Sequence, residues 1–255
     1  MNGPRQSTPV LTFETIDSTN AEAHRRAAAG ERGPIWITAG RQEAGRGRSG
    51  RAWSSPPGNF SASFLFMPEG AAPSAYHQVS FISGVAVVDA LRACGVVLKP
   101  LQLKWPNDLM IGDAKLGGIL VESSRYSGDD LIIIGIGLNL AVAPDVPERK
   151  VTSLAAHGTC LPPDALLHEL ASMLSHWLSV WNGGQGFAAI REAWLGRAHP
   201  TGQALTVNAH NRIYTGTFAG LGPDGRLDLR TSDGTIVSLD HGDVSLVQQA
   251  GGRPT

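Results

Sequence analysis

The sequence predicts an α+β fold in which helices flank a mixed β-sheet, with a small β barrel appended at the C-terminus. Helical periodicities and short apolar runs of strand length succeed one another before residue 200. The run 131–140 is apolar on both faces, which is typical of a central strand. Short β-type runs between turn sequences occupy 203–247, as in a small barrel. We therefore expect two domains, 10–199 and 200–249.

Each predicted element follows from a local pattern of residues. Helix 21–29 is rich in helix formers and ends before Gly30, and helix 73–95 carries apolar residues at three-residue intervals. Pro106 ends the strand before it because proline lacks the N–H that a strand ladder needs. The other predicted helices are 166–181 and 187–194. The predicted strands are 10–13, 35–39, 60–67, 101–105, 116–121, 131–140, 204–207, 214–221, 226–230, 236–239 and 244–247.

Composition argues against several classes of function. With 255 residues, 42% hydrophobic and 17% charged, the chain resembles a globular protein rather than a disordered one. A formal net charge of −1 argues against a broad basic face for nucleic acid. The chain has two cysteines, no metal-ligand spacing of histidines, no signal peptide and no apolar run of membrane-spanning length. We therefore expect a cytoplasmic protein with no membrane contact and no metal site of its own.

The densest positive charge lies in residues 41–51, which contain four arginines and one glutamate. Gly45-Arg-Gly-Arg-Ser-Gly-Arg51 combines glycines, which let the backbone approach a ligand, with arginines, whose forked donors suit phosphate or carboxylate oxygens. We call residues 44–52 the arginine loop. Taken alone, this segment is equally compatible with a solvated, flexible loop. An RG-type nucleic-acid patch is disfavoured because the segment lacks interleaved aromatic residues.

A second group of residues follows a predicted strand. The group begins with the motif Lys104-Trp-Pro-Asn-Asp108. Lys115 then begins the next strand, two residues before a pair of glycines. This arrangement would place one cation over a site that the backbone lines closely. The alternative is a pair of β-turns, at 107–108 and at 112–113, with Lys115 exposed at the start of a strand.

Two further segments place polar groups or glycines next to accessible backbone. Asp17-Ser-Thr-Asn20, at a helix start, offers hydroxyl, amide and free N–H groups to a ligand. A capping box formed by Thr19 and Glu22 would explain the same segment without any ligand. Gly135 and Gly137 leave a slot along the buried strand, which either admits a flat ligand or receives a close-packed helix.

The order and spacing of these segments resemble the biotin–protein ligases. The shared motifs are STN at the first helix, QxxGRGRxGRxW, KWPND, KLGGIL and GIGLN, which together run from about residue 13 to 140. The region 203–247 is similar to the C-terminal domain of that family. The resemblance implies a biotin–lipoate ligase catalytic domain, like that of class II aminoacyl-tRNA synthetases, followed by an SH3-like barrel.

The resemblance also implies a two-step reaction. The carboxylate of biotin attacks the α-phosphorus of MgATP, which gives biotinyl-5′-AMP and pyrophosphate. A specific lysine of a biotin carboxyl carrier protein, as in acetyl-CoA carboxylase, then attacks the mixed anhydride and releases AMP. The expected ligands are therefore biotin, ATP and Mg²⁺, with the carrier protein as partner and a monomer or homodimer as the working form.

Residues at matching positions receive roles from the resemblance. Lys115 would bridge the carboxylate of biotin and the α-phosphate, Arg48 would close over them, and Asp108 would meet the incoming lysine; these three would be catalytic. The biotin-binding positions are Ser18, Thr19, Asn20, Gln42, Arg46, Gly47, Arg48, Lys115, Gly118 and Leu120. The ATP and adenylate positions are Arg48, Arg51, Trp53, Asn107, Lys115 and Asn139. Mg²⁺ would arrive with ATP rather than on a protein motif.

Three alternatives remain open. They are a lipoate or octanoyl protein ligase of the same fold, a non-catalytic biotin-binding protein, and a nucleic-acid-binding protein that uses the arginine loop. About ten residues precede the first strand, too few for the helix-turn-helix of ligases that also act as repressors, so we expect no repressor function. We also expect the arginine loop to be mobile without ligand and ordered with biotinyl-AMP.

Overall fold

A mixed sheet of seven strands forms the centre of the first domain in this computed structural model, which describes residues 8–147 and 149–247. The strands are β1 Val10–Ile16, β2 Ile35–Gln42, β3 Phe60–Phe66, β4 Leu101–Lys104, β5 Asp108–Ile111, β6 Ala114–Tyr126 and β7 Asp129–Leu138. Their order across the sheet is β1-β2-β3-β7-β6-β5-β4. Strand β1 runs parallel to β2, and the other neighbours are antiparallel. The predicted α+β class with a mixed sheet is confirmed.

Helices cover both faces of this sheet. They are α1 Thr19–Ala28, α2 Val79–Ala93, α3 Pro163–Trp181 and α4 Phe187–Leu195. Helix α1 lies on one face, where Ala23 and Ala27 pack in a small core with Ile37 and Ile133. Helix α2 packs on the other face, α3 and α4 pack against α2, and all three share a larger apolar core with the sheet. Alternate residues of each central strand therefore enter different cores, because successive side chains point to opposite faces of a sheet.

Strand β7 holds the central position that its composition predicts. It pairs with β3 on one side and β6 on the other, and Ile132, Ile133 and Ile134 are at most 1% exposed. Because both faces are covered, the run tolerates no polar residue between Leu131 and Ile134. The C-terminal end of β7 contains two glycines and no polar residue, and it leads to the candidate active site.

The C-terminal region forms a five-stranded antiparallel sheet, as expected of the small barrel. Its strands are β8 Ala204–Ala209, β9 Arg212–Leu221, β10 Leu227–Arg230, β11 Ile236–Leu239 and β12 Asp243–Leu246, in the order β11-β10-β9-β8-β12. Val207, Phe218 and Leu229 are buried in the same apolar core as the helices of the first domain. The barrel is therefore joined to the first domain by a continuous core. Residues 248 and 249 of the predicted second domain lie outside the described residues.

Hydrogen bonds also connect the first domain to the barrel. The indole N–H of Trp105 donates to the carbonyl of Gly225 at 3.1 Å, and the guanidinium of Arg191 donates to the carbonyl of Leu221. The ammonium of Lys104 donates to the carbonyl of Val244 at 2.9 Å. Strand β12 is thereby held against the end of the first domain's sheet.

Two local elements differ from expectation. Residues 105–107 and 112–113 form turns, so the turn alternative holds for Asn107, Gly112 and Asp113, but Asp108 begins β5, which pairs with both β4 and β6. The four-residue strand escaped prediction because its buried residues 109–111 are too few to show a period. The predicted helix 73–95 is divided into a 3-10 turn, Pro73–Gln78, and α2, as is frequent at helix N-termini.

Candidate active site

A cavity of about 730 Å³ opens between the ends of the central strands, the arginine loop and β12 of the barrel. A concave site of this size, with convergent polar groups, is typical of small-molecule binding. Every residue that the resemblance assigned to biotin, ATP or catalysis lines this one cavity. These residues are Ser18, Thr19, Asn20, Gln42, Arg46, Gly47, Arg48, Arg51, Trp53, Asn107, Asp108, Lys115, Gly118, Leu120 and Asn139.

The start of α1 forms one polar wall of the cavity. Ser18, Thr19 and Asn20 are all buried, and both the backbone N–H and the hydroxyl of Thr19 lie within hydrogen-bond distance of Gln42 Oε1, at 2.8 and 3.1 Å. The helix cap is Ser18, whose hydroxyl accepts from the N–H of Ala21, so the predicted capping box on Thr19 is wrong. Because Ser18 takes the capping role, Thr19 points to Gln42 across the cavity wall.

Side chains of the protein itself occupy the space left by the two glycines of β7. A Cβ on Gly137 would lie 2.5 Å from the indole of Trp53, and a Cβ on Gly135 would collide with the side chain of Asn20. The indole of Trp53 therefore packs directly against the strand at Gly137, while Asn20 at the start of α1 packs against it at Gly135. The slot is thus filled by a side chain of α1 at Gly135 and by an aromatic ring at Gly137. The alternative of a close-packed helix is therefore correct at Gly135.

The carboxylate of Asp108 lies between two ammonium groups at the centre of the site. Lys115 Nζ is 2.5 Å from Asp108 Oδ1, and Lys104 Nζ is 3.0 Å from Asp108 Oδ2. Burial alone would raise the pKa of Asp108, but the two lysines outweigh it, so this pKa lies below the usual range. Burial lowers the pKa of Lys115 despite its pairing with Asp108. The alternative that leaves Lys115 exposed is wrong, since its side chain is only 21% accessible.

Arg48 extends from the arginine loop toward the same cluster. Its guanidinium donates to Asn107 Oδ1 at 3.2 Å, and Asn107 in turn donates to the carbonyl of Ile119. Burial lowers the pKa of Arg48, and Asp243 and Asp108 act in the opposite direction. Arg48 thus presents a partly desolvated positive charge held by a neutral amide, which suits it to bind an anion.

The two outer arginines of the loop pair with carboxylates instead. Arg46 lies 3.4 Å from Glu122 of β6, and Arg51 lies 2.6 Å from Asp243 of β12. Neither carboxylate was among the residues singled out from the sequence. Asp243 stands 192 residues from Arg51, and no local pattern marks it. Glu122 lies two residues after the end of the KLGGIL motif, and this proximity is the signal in the sequence that could have identified it.

Asn139 ends the strand motif and is 1% exposed. Its amide donates to the carbonyl of Thr152 at 3.1 Å, and its Oδ1 accepts from Asn59 at 3.3 Å. Asn59 also bridges to the backbone of Ala141 and Val142. This network fixes the loop that borders the cavity below β7, so the amide of Asn139 is engaged within the protein.

Metal-ligating side chains gather away from the cavity. Within residues 8–147 and 149–247, His210, Asp240 and His241 form a group whose possible ligand atoms all lie within 4.8 Å of one another, and all three are exposed on the barrel. They do not line the cavity. In the same part of the chain, no helix combines the length and hydropathy required to cross a membrane.

Residues 12–139 match the model of the biotin/lipoate A/B protein ligase family, and residues 201–247 match the biotin protein ligase C-terminal domain. The chain is 39% identical to the biotin–[acetyl-CoA-carboxylase] ligase of Paracoccus denitrificans over 229 residues, which cover 87% of this chain and 94% of that protein. It is 31% identical to the bifunctional ligase/repressor BirA of Escherichia coli over 93% of this chain and 74% of that protein.

Structural comparison agrees with the sequence matches. The fold resembles that of the biotin protein ligase from Aquifex aeolicus in complex with biotin and ATP, with a TM-score of 0.79 and 25% identity. The match covers 94% of this chain and 99% of that one. Both matched regions, the fold and the close relatives point to the same assignment, and this chain belongs to the biotin/lipoate A/B protein ligase family.

Proposed function

We propose that the chain acts as an ATP-dependent biotin–protein ligase, which first forms biotinyl-5′-AMP and then transfers biotin to a lysine of a biotin carboxyl carrier protein. The observation that carries the proposal is the convergence of Arg48, Lys115 and Trp53 on a single cavity. Two desolvated cations beside an aromatic ring are what an adenylate-forming site requires, since both steps concentrate negative charge on a phosphate. The match to the Paracoccus denitrificans ligase favours biotin as the acid that is activated.

In the first step, the carboxylate of biotin attacks the α-phosphorus of ATP and pyrophosphate leaves. Lys115 would bridge the carboxylate and the α-phosphate, which places one positive charge between two anions that otherwise repel each other. Arg48 would neutralise charge that develops on the phosphoryl oxygens in the transition state. The desolvation that lowers the pKa of both cations also strengthens their interaction with an anion that enters the site.

Biotin would occupy the part of the cavity between α1 and β6. Ser18, Thr19 and Gln42 offer a polar wall to one end of the ligand, while Leu120 and the backbone at Gly118 offer an apolar and flat surface. Asn20, Arg46 and Gly47 complete the biotin side. This division of polar and apolar lining fits an amphipathic carboxylic acid.

ATP would occupy the opposite part of the cavity, toward β7 and the barrel. Trp53 lies against Gly137, with the Lys115 ammonium 5.8 Å from its ring centroid. The face of the ring that is turned away from Gly137 would stack on the adenine. Asn107, Arg51 and Asn139 border the same region. Because Asn139 is engaged with Thr152 and Asn59, it would support the nucleotide side through the loop that it holds.

Asp108 would receive the acceptor lysine in the second step. A carboxylate whose pKa is depressed by two lysines is a weak base at neutral pH. Asp108 would therefore orient the incoming ammonium group through its negative charge, more than it would remove the proton outright. The lysine would lose one proton to solvent before it attacks, because only the neutral amine carries the lone pair. Its nitrogen would then bond to the carbonyl carbon of the anhydride, the bond from that carbon to the phosphate oxygen would break, and AMP would leave while the second proton passes to solvent.

Magnesium would enter the site on the phosphates of ATP. Among the described residues, three carboxylates line the cavity, Asp108, Asp113 and Asp243, and each pairs with a lysine or arginine. A cation that prefers several oxygen ligands finds no vacant carboxylate cluster among these three. The chain's contribution would be to hold the phosphates, and Mg²⁺ bound to them would supply neutralising charge for the pyrophosphate.

The domain division proposed is 10–199 for the ligase domain and 200–249 for the barrel. The ends of the two family matches, 139 and 201, bracket the junction near residue 200. We also propose a cytoplasmic location, because the reaction consumes ATP and both cysteines are free thiols.

The test is a mass measurement. The purified chain is incubated with ATP, Mg²⁺, a biotin carboxyl carrier domain and one acid, which is biotin, lipoate or octanoate in separate reactions. The mass of the carrier is then measured by mass spectrometry. A mass gain of one biotinyl group, found only with biotin, is expected. A gain with lipoate or octanoate alone would identify the related ligase, and biotin binding without any gain would identify a binding protein. Lys115→Met serves as the inactive control and the exposed Lys99→Met as its matched surface control.

A further inference from the structure

The arginine loop is a closed turn that is held at both ends by carboxylates from different domains. Within the turn, the N–H of Gly47 donates to the carbonyl of Arg51 at 2.7 Å, and residues 46 and 52 form an isolated bridge. Below it, the N–H of Trp53 donates to the carbonyl of Gly45 at 2.9 Å. These cross-links make the loop move as one unit, so whatever holds its two ends decides where Arg48 lies.

We propose that Glu122 and Asp243 are positioning residues for the ligase reaction: by pairing with Arg46 and Arg51 they hold the arginine loop over the cavity and reserve Arg48 for the ligand's phosphate. The inference rests on the proposed function as far as the phosphate is concerned. The positioning itself concerns the ligand-free protein and is tested without substrate.

Glu122 is the point where three elements meet behind the cavity. Its carboxylate accepts from the amide of Asn20 at 2.7 Å, lies 3.3 Å from His24 Nε2 and pairs with Arg46 at 3.4 Å. Asn20 and His24 belong to α1, and Glu122 to β6, so the loop is tied to a rigid corner of the first domain. The side chain of Glu122 is 26% exposed, which protects the pairing partly from solvent.

Asp243 plays the corresponding part from the barrel. It begins β12, and the next residue, Val244, accepts a hydrogen bond from Lys104 of the Asp108 cluster. Although burial raises the pKa of Asp243, Arg51, Arg48 and Arg149 outweigh it and keep the carboxyl ionised. One short strand of the barrel therefore contacts both the loop and the catalytic cluster, which gives the barrel a direct role in the geometry of the site.

The contrast among the three arginines supports this division of labour. Arg46 and Arg51 are each neutralised by a carboxylate, whereas Arg48 donates to the neutral amide of Asn107. A cation without a carboxylate partner binds an incoming anion with less competition. Partly exposed ion pairs are weak, so each is expected to shift the loop's opening equilibrium by about two- to fivefold. Pairs of that strength position the loop and still let it open for substrates.

The experiment is amide hydrogen exchange of residues 44–52 in the full chain without ligands. Glu122→Gln and Asp243→Asn keep the size of each side chain and remove its charge. Each is expected to speed exchange of the loop by about two- to fivefold, and the double variant by about the product of the two. Asp240→Asn, an exposed barrel carboxylate outside the cavity, is the matched control and should leave the loop unchanged.

Charge reversal separates positioning from a general loss of structure. Arg51→Asp alone should speed exchange of the loop, and Arg51→Asp combined with Asp243→Arg should restore its protection, because the pair is rebuilt with exchanged signs. Equal loop exchange in wild type, Glu122→Gln and Asp243→Asn would overturn the proposal, as would a failure of the reversed pair to restore protection while the melting temperature is unchanged. These readouts need no substrate, so they remain informative even if the chain activates another acid.

Discussion

The ammonium of Lys115 donates a hydrogen bond to the carboxylate of Asp108 on the adjacent strand, at 2.5 Å. Asp108 lies on strand β5 and Lys115 on strand β6, seven residues further along the sequence. A ligand with a carboxylate and a phosphate would have to draw Lys115 away from this partner. Asp108 keeps a second partner in Lys104, so the carboxylate stays compensated when Lys115 turns to the ligand.

Lys115→Met should slow the first step by about 10²–10³-fold while the fold persists. Removal of one charge-stabilising donor costs about 10²–10³ in rate, and Asp108 remains paired with Lys104. Pyrophosphate release from ATP and biotin, measured without carrier, reports this step alone. The exposed Lys99→Met should retain the wild-type rate, and a Lys115→Met rate within threefold or so of wild type would remove Lys115 from the mechanism.

Asp108→Asn should destabilise the protein at neutral pH, because it leaves Lys104 and Lys115 facing each other without a counter-charge. Loss of one partner from a buried pair costs about 3–5 kcal/mol. The pKa of Asp108 is depressed in the folded state, so its stabilising contribution is fully present above the ordinary aspartate pKa and disappears as the pH falls through the lower folded value. Urea unfolding from neutral to acid pH should therefore show the gap between wild type and Asp108→Asn closing only in strong acid. A gap that closes near neutrality would assign the effect to another group.

His199 lies buried at the junction of the two domains and should make the protein acid-sensitive. Its Nε2 has no hydrogen-bond partner among the described residues, and burial, together with Lys104, lowers its pKa from 6.5 to about 4. A histidine with a lowered folded pKa favours the neutral form, so stability is complete above pH 6.5 and declines as the pH falls toward 4, by about 3 kcal/mol.

His199→Leu should remove that decline. Leucine suits this site because His199 lines a small, mostly apolar pocket together with Leu205, Phe218 and Val244. Melting temperatures from pH 7 to 4 should fall less steeply in His199→Leu than in wild type, and the exposed His168→Leu should follow wild type. Parallel curves for all three proteins would show that His199 does not titrate in this range.

Gly137→Ala should weaken ATP binding through Trp53. A Cβ at this position would lie 2.5 Å from the indole, so the ring has to move away from the strand that supports it. If the outer face of Trp53 stacks on the adenine, the KM for ATP should rise about tenfold, with a smaller change in the KM for biotin. Gly196→Ala, where the new methyl group meets nothing closer than 3.6 Å, is the matched control. An unchanged KM for ATP would place the adenine elsewhere.

Arg48→Gly should release biotinyl-AMP before transfer. The loop is expected to shield the anhydride from water, and Arg48 is the residue proposed to contact the phosphate. Bystander proteins should become biotinylated on many lysines, in a reaction followed by mass spectrometry. Strict labelling of the carrier by Arg48→Gly would contradict a gatekeeping role for this arginine.

The arginine loop should also respond to ligand. Amide exchange of residues 44–52 is expected to slow when biotinyl-AMP is bound, because the phosphate adds a partner for Arg48 to the two carboxylate pairs already present. Residues 165–175 of α3, which lie outside the cavity, provide the internal reference. Equal protection with and without ligand would refute a ligand-ordered loop.

The sequence predicted most elements because their patterns are local. Helices α3 and α4 show their apolar stripes within a few turns, and β7 shows its buried run without reference to any neighbour. Strand β5 escaped because a strand of four residues exists only through its pairing with β4 and β6. The cap at Ser18 rather than Thr19 was missed because both residue types cap helices, and the contact of Thr19 with Gln42 decides between them.

The sequence by itself determined the chemistry that this protein carries: the arginine loop, the two lysines with Asp108, and the glycines of β7 are all readable as residue types at short spacing. Only the tertiary structure decided which charges neutralise one another. Glu122 lies 76 residues from Arg46, and Asp243 lies 192 from Arg51, so no local pattern reveals either pair. The physical reason is that an ion pair depends on a distance of a few ångströms in space, which is settled by how the sheet, α1 and the barrel pack together.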